Sequence, residues 1–234
     1  TLNNMLTNVT LENSISNAVA PVDLEDGAGD AFYAGSTLTV TNAANTLNGV
    51  VAYGGDITLQ NLQAATSLNL LEIAAGRTVS AYTAGSEKSN ITVIDHVLLG
   101  GGATLHSSLT LSEGAVLEMD TLQSGAAIVA GALTFGGQLT MGDKLLAILD
   151  EMSSWENHEL TLITGLDSFT FDGVEVADGS MLQANTYFRN VSDSLSVSYR
   201  VSGDVGSLVL VSMDVVPEPP TSTLSLLALA GLCA

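Results

Sequence analysis

The sequence predicts an all-β chain wound as a parallel β-helix, or solenoid, and three observations carry that prediction. Short segments with apolar residues at every second position follow one another from about residue 36 to residue 142, separated by turn residues. Aromatic residues make up 5% of the chain and glycines number 23, with many Thr, Ser and Asn, a palette that suits stacked short strands and tight turns. Hydrophobic residues are 46% and charged ones only 13%, so the chain can bury a core. An antiparallel sandwich competes, but it needs strands of matched length and usually a more aromatic core. A parallel β-helix needs only short strands, small turn residues and an aliphatic stack.

The elements follow in order. Ser36-Thr37-Leu38-Thr39-Val40-Thr41 alternates, as does Asp56-Ile57-Thr58-Leu59-Gln60. Ser67-Leu68-Asn69-Leu70 leads into Leu71-Glu72-Ile73, and Asn90-Ile91-Thr92-Val93 into Ile94. The clearest stretch is Gly102-Ala103-Thr104-Leu105, Ser108-Leu109-Thr110-Leu111, a turn at Ser112-Glu113-Gly114, then Ala115-Val116-Leu117-Glu118-Met119. Further rungs are read at Ala127-Ile128-Val129, Ala132-Leu133-Thr134-Phe135 and Gln138-Leu139-Thr140-Met141. With roughly 20 residues per coil, residues 1–142 make roughly six or seven coils. Leu105, Leu109, Leu111, Leu117 and Leu133 are expected in one stacked core, with Glu118 and Asp120 facing water.

The pattern changes at Asp143. Leu145, Ile148, Leu149 and Met152 stand at i, i+3, i+4 and i+7, with Asp143 as N-cap, which predicts a helix over 144–155. Strands are read at 159–163, 168–171 and 174–176, and a helical turn over 184–190 carrying Tyr187 and Phe188. Residues 195–201 and 207–211 bracket the turn Gly203-Asp204 as a hairpin. Most of the chain's aromatic residues fall in this stretch, which suits a β-rich cap over residues 143–213 closing the open end of the solenoid. Residues 214–234 form a third segment.

That third segment reads Val216-Pro217-Glu218-Pro219-Pro220, then Thr221-Ser222-Thr223 and the uncharged run Leu224-Ser225-Leu226-Leu227-Ala228-Leu229-Ala230-Gly231-Leu232. The prolines fix φ and remove donors, so residues 214–220 are expected to be extended and residues 221–234 helical. A bilayer span needs about 20 apolar residues, so the hydrophobic helix is read as truncated. This tail resembles the PEP-CTERM sorting signal of Gram-negative bacteria, which joins a Pro-Glu-Pro motif, a membrane helix and a terminal Arg cluster; the last part has no counterpart here. The resemblance implies a sorting motif at Val216, Pro217, Glu218 and Pro219, transient membrane anchoring, and processing by a membrane protease of the exosortase type. The repeats "G-x-x-L-x-x-x-L-x-L-x-x-G-A-x-L-x-x" in turn resemble the passenger regions of autotransporter-like surface proteins. At the other end, Thr1-Leu2-Asn3-Asn4-Met5-Leu6 has neither a charged nor an apolar leader region, and the chain reads as an internal piece of a longer protein.

Charge narrows the partners. There are 25 acidic residues against Arg77, Lys88, Lys144, Arg189 and Arg200, a formal charge of −20. Scattered single cations argue against nucleic acid, which needs clustered Lys and Arg, and against anionic lipid heads. Extracellular polysaccharide or a host or matrix surface is the expected partner class. No cofactor is expected. A lone Cys233 allows no internal disulfide and has no polar surroundings to lower its pKa.

Three constellations are candidates for chemistry. Glu118 and Asp120, with Glu113 near, would be the carboxylate pair of a polysaccharide lyase or glycoside hydrolase built on a β-helix, the alternative to a non-enzymatic surface protein. Against it stands the ordinary solvated face of a very acidic chain. Asp23, Glu25, Asp26 and Asp30 frame Gly27-Ala28-Gly29 as a calcium candidate, but their spacing matches no EF-hand or glycine-rich nonapeptide. His96, His106 and His158 lack metal-ligand spacing, so no metal site is assigned. No nucleophile elbow, P-loop or dinucleotide fingerprint appears, and the scattered methionines read as core filler. The expected function is a non-enzymatic, exported, surface or extracellular-matrix protein of adhesin or scaffold type.

Overall fold

The computed structural model describes residues 9–11, 22–23, 37–40, 49–52, 55–62, 66–120, 125–152, 159–191 and 195–212. The strands begin with β1 (Val9–Leu11), β2 (Val22–Asp23), β3 (Thr37–Val40) and β4 (Gly49–Ala52), followed by β5 (Asp56–Leu62) and β6 (Thr66–Ile73). Then come about three turns in close succession. They comprise β7 (Thr78–Thr83) with β8 (Asn90–Leu99); β9 (Thr104–His106) with β10 (Ser108–Leu111) and β11 (Val116–Met119); and β12 (Ala127–Val129) with β13 (Ala132–Phe135) and β14 (Thr140–Met141). Helix α1 (Asp143–Met152) precedes β15 (Glu159–Leu166), β16 (Ser168–Phe171), β17 (Val174–Glu175) and β18 (Met181–Gln183). The short helix α2 (Ala184–Tyr187) and the hairpin β19 (Leu195–Ser202) and β20 (Val205–Ser212) follow.

Pairing makes this a parallel solenoid. One sheet stacks β1, β3, β5, β7, β9, β12 and β15 in parallel. The other stacks β2, β4, β6, β8, β10, β13 and β16, also in parallel. The second sheet divides at β8: its first half pairs with β10 and its second half with β11, which in turn pairs with β14. Between the two halves, Ile94 and Asp95 are exposed. The expected count of roughly six or seven coils draws partly on residues 1–48, of which only β1, β2 and β3 are described.

Register explains why alternation suffices to build the core. Leu109 stands opposite Ile91 and Leu133, Leu111 opposite Val93 and Phe135, and Val79 opposite Ile57 and Leu105. A period-2 strand points every second residue inward, so in-register stacking places apolar on apolar. Leu105, Leu109, Leu111, Leu117 and Leu133 are all buried, as expected. The corner after β8 needs glycine: a Cβ on Gly100 would fall on the Ala75 backbone of the turn before. The Gly100 N–H instead donates to the Ile73 carbonyl at 2.8 Å, so two turns of backbone meet directly.

Beyond β14 the winding ends. Strands β20, β19 and β18 close the first sheet in antiparallel pairing, and β17 folds back on β16 to close the second. The aromatic residues plug the end of the core. Phe135 meets Phe169 edge-on with ring centroids 5.1 Å apart, and Tyr187 and Phe188 at 6.4 and 6.0 Å. Phe171 packs on Tyr187 at 4.8 Å and Tyr199 on Phe169 at 5.8 Å. The expected cap is therefore present, and the helix expected over 144–155 is α1 as far as Met152, residues 153–155 lying outside those described. The helical turn expected over 184–190 is only α2, because Phe188 is already extended at φ −131°.

Candidate functional site

The acidic corner at β11 departs furthest from the sequence reading. Glu118 alternates with buried Leu117 and Met119, so it was expected in water, yet it is only 7% exposed. The cause is α1, whose first turn lies over the outer face of β11. Glu118 Oε1 accepts the N–H of Leu145 at 2.9 Å and that of Met119 at 3.2 Å. Orphan N–H groups and the positive end of a helix dipole favour a carboxylate at that place. Gly142 makes room for it: a Cβ there would run into the Glu118 carboxylate. The expected N-cap is likewise corrected. Asp143 is the first residue of α1 and is exposed, while the acceptor for the first-turn N–H comes from Glu118, 27 residues away in sequence.

Asp120, by contrast, is exposed as expected, and it accepts a hydrogen bond from Lys144 Nζ at 2.7 Å. That bond raises the Lys144 pKa above its ordinary value; burial opposes it, and the charges of Asp120, Glu118 and Glu72 add to the rise. Glu72 and Glu118 flank Leu98 on adjacent strands. Glu113 is held elsewhere, by Arg189 at 2.6 Å. The structure thus brings Glu118 and Asp120 together at the start of α1, but each is engaged with that helix. An exposed pair contributes at most about 1 kcal/mol. Lys144→Met is therefore expected to change the unfolding free energy by less than about 1 kcal/mol in urea denaturation. A larger loss would show that the pair, rather than Glu118, fastens α1.

Other cations are used in the same way. Arg200 donates two hydrogen bonds to Glu159, both 2.6 Å, and Lys88 Nζ donates to the Ala130 carbonyl at 2.8 Å. The bond from Arg200 holds the Glu159 carboxyl below its ordinary pKa. The small stabilisation from that pair is present above the ordinary carboxylate range and fades as pH falls through the lowered value. At the cap, burial first and then the charges of Asp178, Glu175 and Asp167 raise the Tyr199 pKa. Burial does the same for Tyr187.

The remaining candidates stay apart. His96 lies half-buried in β8, in register with Leu70 and Val116, and His106 ends β9 in the other sheet. Among the described residues no three His, Cys, Asp or Glu side chains group as metal ligands. Asp23 is the last residue of β2. Glu25, Asp26, Asp30, His158, Cys233, the motif Val216, Pro217, Glu218 and Pro219, and the C-terminal hydrophobic helix all lie outside the described residues. Among the described residues no helix is long and apolar enough to cross a membrane.

One feature was missed from sequence: an open cleft of about 280 Å³ lined by Gln60, Tyr82, Thr83 and Ser86. Ser86 sits at φ +62° in the turn after β7. The only sequence signal is the small-residue turn Ala84-Gly85-Ser86. No protein-family profile, curated protein or solved structure matches this chain.

Proposed function

We propose that the chain is a non-enzymatic, exported surface or extracellular-matrix protein of the adhesin or scaffold type, sorted through its C-terminal Pro-Glu-Pro segment. The observation that carries this reading is the order of parts: a parallel solenoid with an aromatic cap, then Val216-Pro217-Glu218-Pro219, then an uncharged apolar run. In it an exosortase-type membrane protease recognises the Pro-Glu-Pro motif while the apolar run holds the chain at the membrane. A solenoid suits display, because stacked turns give an extended surface of fixed spacing. The acidic charge favours a neutral or basic extracellular partner, such as a neutral polysaccharide or a matrix surface. The competing lyase or hydrolase reading loses support at its own carboxylates, since Glu118 accepts two backbone N–H groups and Asp120 is bonded to Lys144.

The test uses the full-length protein in its own cell. Changing Val216, Pro217, Glu218 and Pro219 together to alanine is expected to leave the body folded but retained in the membrane, untrimmed. Fractionation with an antibody against the body reads this out. If the variant is trimmed and reaches the surface as efficiently as the wild type, the sorting reading is wrong.

A further inference from the structure

We infer that the cleft beside the corner between β7 and β8 binds one ring of a neutral saccharide. The inference rests on the display reading above only for the source of that saccharide. At this corner the turn departs from its neighbours. Ser80 is in register with His106, and Asn90 with Ser108. One residue, Ser107, joins the later pair, whereas nine, residues 81–89, join the earlier one. The following corner is short again, since Leu105 and Leu109 are in register with Val129 and Leu133. In stacked-repeat proteins an insertion in one repeat maps to a loop on one face, often the binding face.

The inserted residues fold on themselves. Thr83 N–H donates to the Glu87 carbonyl at 2.8 Å, Ser86 N–H to the Thr83 carbonyl at 3.0 Å and Ser89 N–H to the Ala81 carbonyl at 2.9 Å. Lys88 bridges back to Tyr82 in antiparallel pairing, and its Nζ donates to the Ala130 carbonyl, two turns on, at 2.8 Å. The neighbouring strand changes at the same height. Leu59 is in register with Ala81 and Leu62 with Thr83, so Gln60 and Asn61 stand against Tyr82 alone. That bulge keeps Leu59 and Leu62 both buried and leaves Gln60 exposed. Bulges gather beside functional sites, where they re-aim a side chain. Loop and bulge together supply the walls of the cleft of about 280 Å³: Tyr82, Thr83 and Ser86 from one, Gln60 from the other.

The lining selects the ligand. Tyr82 offers an aromatic ring for the C–H face of a pyranose. Gln60, Thr83 and Ser86 offer amide and hydroxyl groups, which both donate and accept, as sugar hydroxyls do. Among the described residues, none of these four side chains is hydrogen-bonded to another, and no charged side chain lines the cleft. The cation of the loop, Lys88, is bonded to Ala130, and the other charge of the loop is Glu87. A phosphate, sulfate or uronate would therefore meet no counter-charge there, in a chain of formal charge −20. The volume lies just below the range of about 300–1,000 Å³ usual for small-molecule pockets. An open cleft of that size suits one ring of a longer chain whose neighbouring rings stay in water.

The experiment applies the labelled full chain to an array of neutral β-glucan, mannan, galactan and xylan oligosaccharides, with alginate and polygalacturonate fragments beside them. The neutral oligosaccharide bound best is then titrated by calorimetry. Saturable binding that NaCl does not weaken is expected, because no ion pair is involved. Tyr82→Ala is expected to bind about tenfold or more weakly, and Tyr82→Phe, which keeps the ring, to retain most of the affinity. Gln60→Ala is expected to bind about fivefold more weakly through one lost hydrogen bond. Its circular dichroism spectrum should be unchanged, since Gln60 is exposed, so it decides the matter even where Tyr82→Ala fails to fold. No binding to any neutral oligosaccharide, tighter binding to the uronate fragments, or wild-type affinity in Gln60→Ala overturns the proposal. None of these outcomes bears on the sorting test, because the array uses chain already isolated from the cell.

Discussion

Phe135→Ala is expected to lower the unfolding free energy by about 3–5 kcal/mol, the range for deleting a fully buried aromatic side chain. Phe135 ends β13, in register between Leu111 of the turn before and Phe171 of the turn after. Its ring is the hub of the plug, touching Phe169, Tyr187 and Phe188. Edge-to-face pairs add about 0.5–1.5 kcal/mol each beyond area burial. Collapse of the site is resisted, because the parallel backbone on both sides is fixed by its ladder. Phe171→Ala is the internal control: that residue is half-buried, and its ring pairs with Tyr187. Chemical denaturation ranks the two. Losses of similar size, or a loss below about 1.5 kcal/mol for Phe135→Ala, would show that the plug does not close the core as a unit.

The solenoid was legible because one rule applied many times over. Ser108-Leu109-Thr110-Leu111 and Ala132-Leu133-Thr134-Phe135 alternate cleanly, and a parallel ladder then stacks like on like without further instruction. The bounds of β10, β12 and β13 agree with those read from the alternation. What escaped were strands whose sequence gives alternation little contrast. Gly49-Val50-Val51-Ala52 is buried at all four positions, so it has no polar partner residue to mark a period. Thr78-Val79-Ser80-Ala81 hides in small residues that neighbour a tight corner. Strand β18 escaped because all three of its residues are exposed: an edge carries no inward stripe.

The carboxylate corner was illegible for a different reason. Alternation assigns Glu118 to the outer face, and that assignment is geometrically right, since Leu117 is buried toward the core. What alternation does not know is that α1, 25 residues later, returns to lie over that face. The sign of it in sequence is Gly142 just ahead of the helix, a glycine whose role appears only when Glu118 is beneath it. A charged residue in an outward position therefore had two possible environments, solvent or another element, and only the return path of the chain decides. Residues 213–234, with the Pro-Glu-Pro segment, lie outside those described.

Glu118→Ala is expected to cost about 2–4 kcal/mol, because two N–H groups lose their acceptor at once and each unsatisfied buried donor costs about 1–3 kcal/mol. Glu118→Gln keeps a carbonyl oxygen for the Leu145 N–H and is expected to lose about half as much, since a charged acceptor binds roughly twice as strongly as a neutral one. Amide hydrogen exchange at Leu145 is the local readout and should speed up in the alanine variant more than at core amides such as that of Leu109. Gly142 supplies the decisive control. In the wild type, Gly142→Ala drives a methyl into the carboxylate and is destabilising in its own right. In the Glu118→Ala background the same methyl enters the vacated space. The double variant is therefore expected to be more stable than the sum of the two single losses allows, by more than about 0.5 kcal/mol. Strict additivity, measured by urea denaturation of all four proteins, would mean that Glu118 and Gly142 do not share that space and that α1 is fastened by something other than the carboxylate beneath it.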